Sequence, residues 1–134
     1  MKIALAQMKM SSHMEEHFLR TLDFINTAAD NGADLICFPE VRLSPLFAQY
    51  KDKDASGWLI TEDSRYVKEI CALCRERRIY AVPNFYIDEN GRRYDMSLLC
   101  YNGESYDLTI RFLDILRKWK IKQIFFSYAY LQEY

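Results

Sequence analysis

NGADLICFPEV, residues 31 to 41, sets the architecture of this chain. Asn31-Gly32 is a left-handed helix stop. Leu35 to Phe38 is a short apolar run of the kind that fills a buried strand, and it closes on Pro39 and the carboxylate of Glu40. Upstream, KIALAQM (residues 2 to 8) is a similar apolar run and reads as a first buried strand. Between the two, Met14, Phe18, Leu22, Ile25 and Ala29 recur at three or four residues, the stripe of an amphipathic helix. Ser12 followed by Glu15 fits a capping box at the start of that helix. Strand, helix and strand with short joints predict two parallel neighbours in one sheet.

Working outward, residues 43 to 61 have no sustained period and carry turn formers, which predicts a long ordered loop of the kind that serves function. A second helix is expected from about Ser64 to Arg78, with Val67, Ile70, Cys71 and Cys74 inward. Tyr80 to Ile87 reads as a third strand. Asp88-Glu89-Asn90-Gly91 then signals a hairpin into a fourth strand over about Tyr94 to Tyr101, and Asn102-Gly103 marks another turn. The pattern βαβαββ predicts an α/β domain with a mixed sheet, parallel at its start and antiparallel at its edge. From Asp107 the character changes: residues 107 to 122 draw a helix with Ile110, Leu113 and Leu116 inward, and IFFSYAYL (residues 124 to 131) a β segment. The expected division is an α/β portion over residues 1 to 106 and an aromatic-rich tail, 107 to 134, on the same domain.

Composition narrows the function. A net charge of −1 and an isoelectric point near 6.1 argue against nucleic acid or an anionic membrane as partner. The basic stretches RERR (75 to 78) and RKWKIK (117 to 122) fit helix C-termini, which favour cations. No stretch reaches the length of a membrane span, and the N-terminus lacks a secretory signal. Four cysteines in such a chain read as reduced thiols in a cytoplasmic protein. Cys71 and Cys74 form a C-x-x-C in mid-helix without a second pair, and His13 and His17 stand one helical turn apart without a third ligand, which reads as a solvated pair. Neither completes a zinc set, so no metal or cofactor is expected.

Glu40 is the candidate for chemistry. In open α/β sheets ligands gather beyond the carboxyl ends of the strands, and a carboxylate desolvated there by Phe38 and Pro39 suits a general base. The competing reading is a solvated strand end or an ion pair, for instance with Arg42. MKIALAQM, the helix after it, and NGADLICFPEVRLSPL resemble the opening of the nitrilase, or carbon–nitrogen hydrolase, superfamily. EICALCRERRIYAVPNFYIDENGRRYDMSLLCYNGE resembles its next segment, with Asp95 where a Tyr-Asn-Ser-like stretch has Asn. The resemblance runs over about residues 1 to 104.

It implies an α-β-β-α sandwich, here incomplete with helices on one sheet face, and hydrolysis of non-peptide C–N bonds in amides, nitriles or carbamoyl compounds. It also implies a small-molecule substrate, a homo-oligomer, and a mechanism of Glu as base, Lys as oxyanion stabiliser and Cys as nucleophile. Glu40 carries over as the base. At the Lys position the nearest residue is Arg111, whose planar fork is not equivalent to an ammonium. Cys100-Tyr101-Asn102 echoes the nucleophile motif, but no Arg-Phe-Pro-Glu follows, and core cysteine is the better reading of Cys100. The tail after about residue 106 departs from the family pattern. Two functions follow as expectations: a C–N hydrolase whose chain is inactive by itself, and a non-catalytic interaction or oligomerisation module.

Overall fold

The computed structural model describes residues 1–9, 11, 13–40, 43 and 56–107. Ser12, Arg42, Arg111, most of the loop expected over residues 43 to 61, and the helix and β segment expected after residue 107 lie outside them. The described elements are β1 (Ile3–Leu5), α1 (Met14–Asp30), β2 (Leu35–Cys37), α2 (Arg65–Arg77), β3 (Tyr80–Val82), β4 (Asn84–Glu89), β5 (Arg92–Tyr101) and β6 (Glu104–Asp107).

The sheet runs β1-β2-β3-β5-β4, with β6 also on β5. β1, β2 and β3 are parallel; every pairing of β5 is antiparallel. This is the expected mixed α/β sheet. The expected third strand splits in two at Pro83, because proline has no N–H to give a ladder. Both halves keep one register on β5: Ala81 faces Cys100, Asn84 faces Ser97, and between them the Leu98 N–H donates to the Pro83 carbonyl at 3.0 Å. On its other side the ribbon leaves β2 at Pro83, where the Phe38 N–H makes the last bond, to Val82, at 3.1 Å. Asn90-Gly91 and Asn102-Gly103 form two-residue turns with φ of 56° and 80°, and of 54° and 88°. Those positive values are what a type I′ hairpin demands and what Asn-Gly tolerates. Of the expected loop, Ile60 joins the sheet, accepting from Asp88 at 2.8 Å and donating to Tyr86 at 3.0 Å.

Alternation along the strands sorts residues onto two faces. Ile36, Ala81, Phe85, Ile87, Leu98 and Cys100 are buried on one, against Phe18, Ile25, Val67, Ile70 and Cys74 of the two helices. The predicted inward set of α2 is buried in full, and α1 adds Ala28, Thr21 and His17 to its apolar stripe. The helices are tied at both ends, Arg65 to Glu15 and Arg77 to Asp30. These ion pairs are exposed and contribute little beyond orientation. Phe18 meets Tyr66 edge to face at 5.0 Å, and the Arg65 guanidinium lies 4.5 Å over the Tyr66 ring.

The structure corrects two expectations. The apolar run of β1 reads as a buried strand, yet Ile3 and Leu5 are 50% and 80% exposed. Among the described strands β1 lies at the edge, and of its three residues only Ala4 turns toward the helices. His17 is not a solvated partner of His13: it is fully buried, and its Nε2 lies 2.8 Å from the Ser11 N–H. His13 is the N-cap of α1, and the start of the helix is held by Ser11 and Glu16, whose side chains bond at 2.5 Å. Among the described residues no helix is long and apolar enough to cross a membrane.

The two faces predict opposite mutational costs. Phe18→Ala, at a site 1% exposed, is expected to cost about 3–5 kcal/mol, whereas Leu5→Ala on the open face stays within about 0.5 kcal/mol. Urea denaturation of each variant beside the parent checks both.

Candidate active site

The carboxyl ends of β1, β2 and β3 lie side by side, and the sheet opens there because Pro83 takes β3 away from β2. Glu40 comes three residues after the end of β2. Asp95 of β5 is the group that acts on its carboxyl, as a hydrogen-bond partner and as a charge. That bond, then partial burial, then the Asp95 charge raise the Glu40 carboxyl from its ordinary value to about 7. Like charges at close range disfavour each other's ionised form, and this is the expected direction.

Asp95 faces Tyr86 across the β4–β5 ladder, and Asn84 faces Ser97. By strand alternation these four share the sheet face opposite the helices. They are half-buried, and the Asn84 amide donates to the Ser97 hydroxyl at 3.0 Å. The open face therefore has two halves. Over β1 to β3 it is apolar, with Ile3, Leu5, Tyr80 and Tyr101 exposed and the last two stacked at 3.9 Å. Over β4 and the start of β5 it is polar, and Glu40 stands on that polar half through its bond to Asp95.

Cys100 lies elsewhere. It is five residues beyond Asp95 on the same strand, about 17 Å along it at the usual rise. The odd spacing puts it on the helix face, where it is fully buried. Its free thiol is hydrogen-bonded to Cys71 of α2, and that hydrogen bond followed by burial raises it well above the ordinary value. Burial, with Cys71 second, pushes the Cys74 thiol up to about 12. Cys71 alone is lowered, by its bond from Cys100. Cys37, half-buried at the end of β2 and raised by burial, is the cysteine nearest in sequence to Glu40. No group of three or more His, Cys, Asp or Glu able to hold a metal occurs among the described residues. A depression of about 400 Å³ sits between the start of α2 and the β5–β6 turn, lined by Glu62, Lys68, Cys71 and Glu104, and does not include Glu40. Its open shape makes it a surface hollow.

The carbon-nitrogen hydrolase family model matches residues 2–121. The chain belongs to that family. The match runs past residue 104, where the motif resemblance stops, and so takes in the start of the tail that the motifs alone leave outside the family pattern. A search of curated proteins by sequence finds no match. Among solved structures, the chain is similar to a carbon-nitrogen hydrolase from Helicobacter pylori G27 (TM-score 0.66, 12% identity, 78% of this chain and 38% of that one). It is also similar to an N-terminal amidase with an Asn-Glu-Ala peptide (0.64, 15%, 78% and 26%). A third is a glutamine-dependent NAD+ synthetase from Acinetobacter baumannii with adenosine diphosphate (0.55, 21%, 77% and 19%). These likenesses show the nitrilase-type α/β fold. The chain spans well under half the length of each.

In this family member, sequence reasoning named Glu40 but missed the influence of Asp95 on it. In the sequence Asp95 stands out only as a departure from Asn; the signal that it shares the open face is its even-numbered spacing from Ser97. Thiol burial sets a test: brief maleimide labelling of the folded chain is expected to modify Cys37 first and to leave Cys74 and Cys100 untouched until urea unfolds it, read by peptide mass spectrometry.

Proposed function

We propose that this chain carries the general base of a hydrolase acting on non-peptide C–N bonds in amides, nitriles or carbamoyl compounds, with Glu40 as that base. The observation that carries the reading is the Glu40 carboxyl at the mouth of β2, raised to about 7. A base poised near neutral pH is half ionised where it must work and is a strong enough acceptor to take a thiol or water proton. The fold likeness to an amidase supports an amide as the substrate class. In the family's scheme a Cys attacks and a Lys steadies the oxyanion. Arg111 is the residue proposed for the cationic role. Cys100, walled into the core beside Cys71 and Cys74, is not proposed as nucleophile. The chain by itself is therefore proposed to be inactive or weakly active until a nucleophile is supplied.

A second reading is favoured by a separate observation. Ile3, Leu5, Tyr80 and Tyr101 stand exposed together on the apolar half of the open face, and contiguous apolar surface marks a place of association. On that reading the chain is a non-catalytic module that self-associates or binds a partner through this face.

Ammonia release from amides, nitriles and carbamoyl compounds by the parent and by Glu40→Gln separates the two. The hydrolase reading expects at most weak turnover in the parent, any of it falling about 10²- to 10⁴-fold in the variant. A folded parent with no turnover, whose sedimentation shows an oligomer that Leu5→Lys disperses, establishes the module instead.

A further inference from the structure

β1 has a second edge. Among the described residues it pairs with β2 alone. We infer that IFFSYAYL, residues 124 to 131, pairs as a further strand with that outer edge, so that the tail closes the sheet beyond β1. The segment lies outside the described residues. This pairing is at the rim of the sheet and is independent of Glu40.

Three observations on β1 carry it. The first is the direction of its backbone groups. The Ala6 N–H donates to the Cys37 carbonyl at 2.9 Å, and the Leu35 N–H donates to the Lys2 carbonyl at 3.4 Å. The even-numbered residues therefore bond to β2, and the pleat turns the N–H and C=O of Ile3 and Leu5 outward. Such a row is a template for another strand. The second is that the edge carries no guard. Charge, proline or a bulge blunts the edges of natural sheets, yet Ile3-Ala4-Leu5 has neither charge nor proline and keeps an unbroken register with β2. The neighbouring Lys2 is engaged elsewhere, its Nζ donating to the Asn31 carbonyl at the end of α1 at 2.6 Å. The third is space. Between β1 and the second half of α1 lies a hollow of about 240 Å³, lined by Ala4, Ile36, Phe24, Thr27 and Ala28. A strand laid along β1 turns alternate side chains into this hollow and the others beside Ile3 and Leu5.

The sequence names the occupant. Residues 123 to 132 are the longest uncharged stretch of the chain. Within it Ile124, Phe125, Phe126, Tyr128 and Tyr130 are strong strand formers, and no Gly or Pro interrupts them. A segment of that kind left in water is an aggregation hazard, and an uncharged apolar edge is where it finds cover. The reach is sufficient. The place beside β1 is five strand spacings from β6, about 24 Å. Residues 108 to 123 span about 24 Å as a helix and about 50 Å extended. Attachment to the same chain also gives the segment an effective concentration in the millimolar range. The edge of a second copy does not match that at micromolar protein.

The test is NMR of the full chain, by amide exchange and by NOEs. The parent is expected to show cross-strand NOEs between residues 124 to 131 and Ile3 or Leu5. Its Ile3 and Leu5 amides are expected to exchange at least about 100-fold more slowly than in an open chain. Tyr128→Pro and Ala129→Pro alter neighbouring positions, so in either register one of them removes an N–H that faces β1. That variant is expected to return Ile3 and Leu5 to the open-chain rate while the Ile36 amide of β2 stays protected. Open-chain exchange at Ile3 and Leu5 in the parent, or protection that both folded variants keep, overturns the pairing. A sample mixing ¹⁵N-labelled with ¹³C-labelled chains separates the occupants. NOEs within one chain support the tail, whereas NOEs between differently labelled chains put a second copy on the edge and overturn it. If a variant does not fold, the exchange and NOEs of the parent and the mixed sample decide.

Discussion

Everything in this molecule hangs on the ladder along β5. That strand takes β3 and β4 on one edge in a single register and β6 on the other, so each of its residues is fixed in place by backbone bonds. Its even-numbered positions Leu98 and Cys100 are buried against the helices. Its odd-numbered positions, from Asp95 through Ser97 to Tyr101, make the opposite face. A slip of one residue would exchange the two sets. The Asn90-Gly91 turn and the Pro83 carbonyl bond prevent that slip, one at the hairpin and one at the break between β3 and β4.

The break at Pro83 has a functional consequence. Without an N–H the ribbon cannot go on bonding to β2, and beyond Val82 the parallel part of the sheet ends while the antiparallel part continues. The gap falls at the carboxyl end of β2, where the chain carries Phe38, Pro39 and Glu40. A side chain from the end of one strand can thus reach a strand two places away in the sheet. The same proline that costs the ladder a hydrogen bond opens the sheet beside Glu40.

The two halves of the chain's chemistry are kept apart by the sheet itself. Three thiols gather on the helix face, where burial holds Cys74, and the hydrogen bond to Cys71 with burial holds Cys100, in the neutral form. Two carboxyl groups meet on the other, where proximity to Asp95 holds Glu40 near neutrality. A thiol that is to act as nucleophile needs a base within hydrogen-bond reach and a way to ionise; Cys100 has neither. The apolar half of the open face, from Ile3 to Tyr101, is the surface on which the remainder of a sandwich or a partner is proposed to rest.

What the amino-acid sequence determined by itself is what short-range physics dictates. The apolar stripe of α1, the inward set Val67, Ile70, Cys71 and Cys74, the Asn-Gly turns and the carboxylate after β2 all follow from periodicity and turn chemistry over a few residues. The family motif around Glu40 was legible for the same reason. Sheet order, and with it the exposure of Ile3 and Leu5, was not. An edge strand and a central strand have the same apolar pattern, and only pairing distinguishes them. Nor could the sequence join Glu40 to Asp95. Those residues stand far apart along the chain, and they meet only because β3 lies between β2 and β5 and parts from β2 at Pro83. The tertiary structure decided that a carboxylate at a strand end would keep a second carboxylate for company, and so titrate near neutrality.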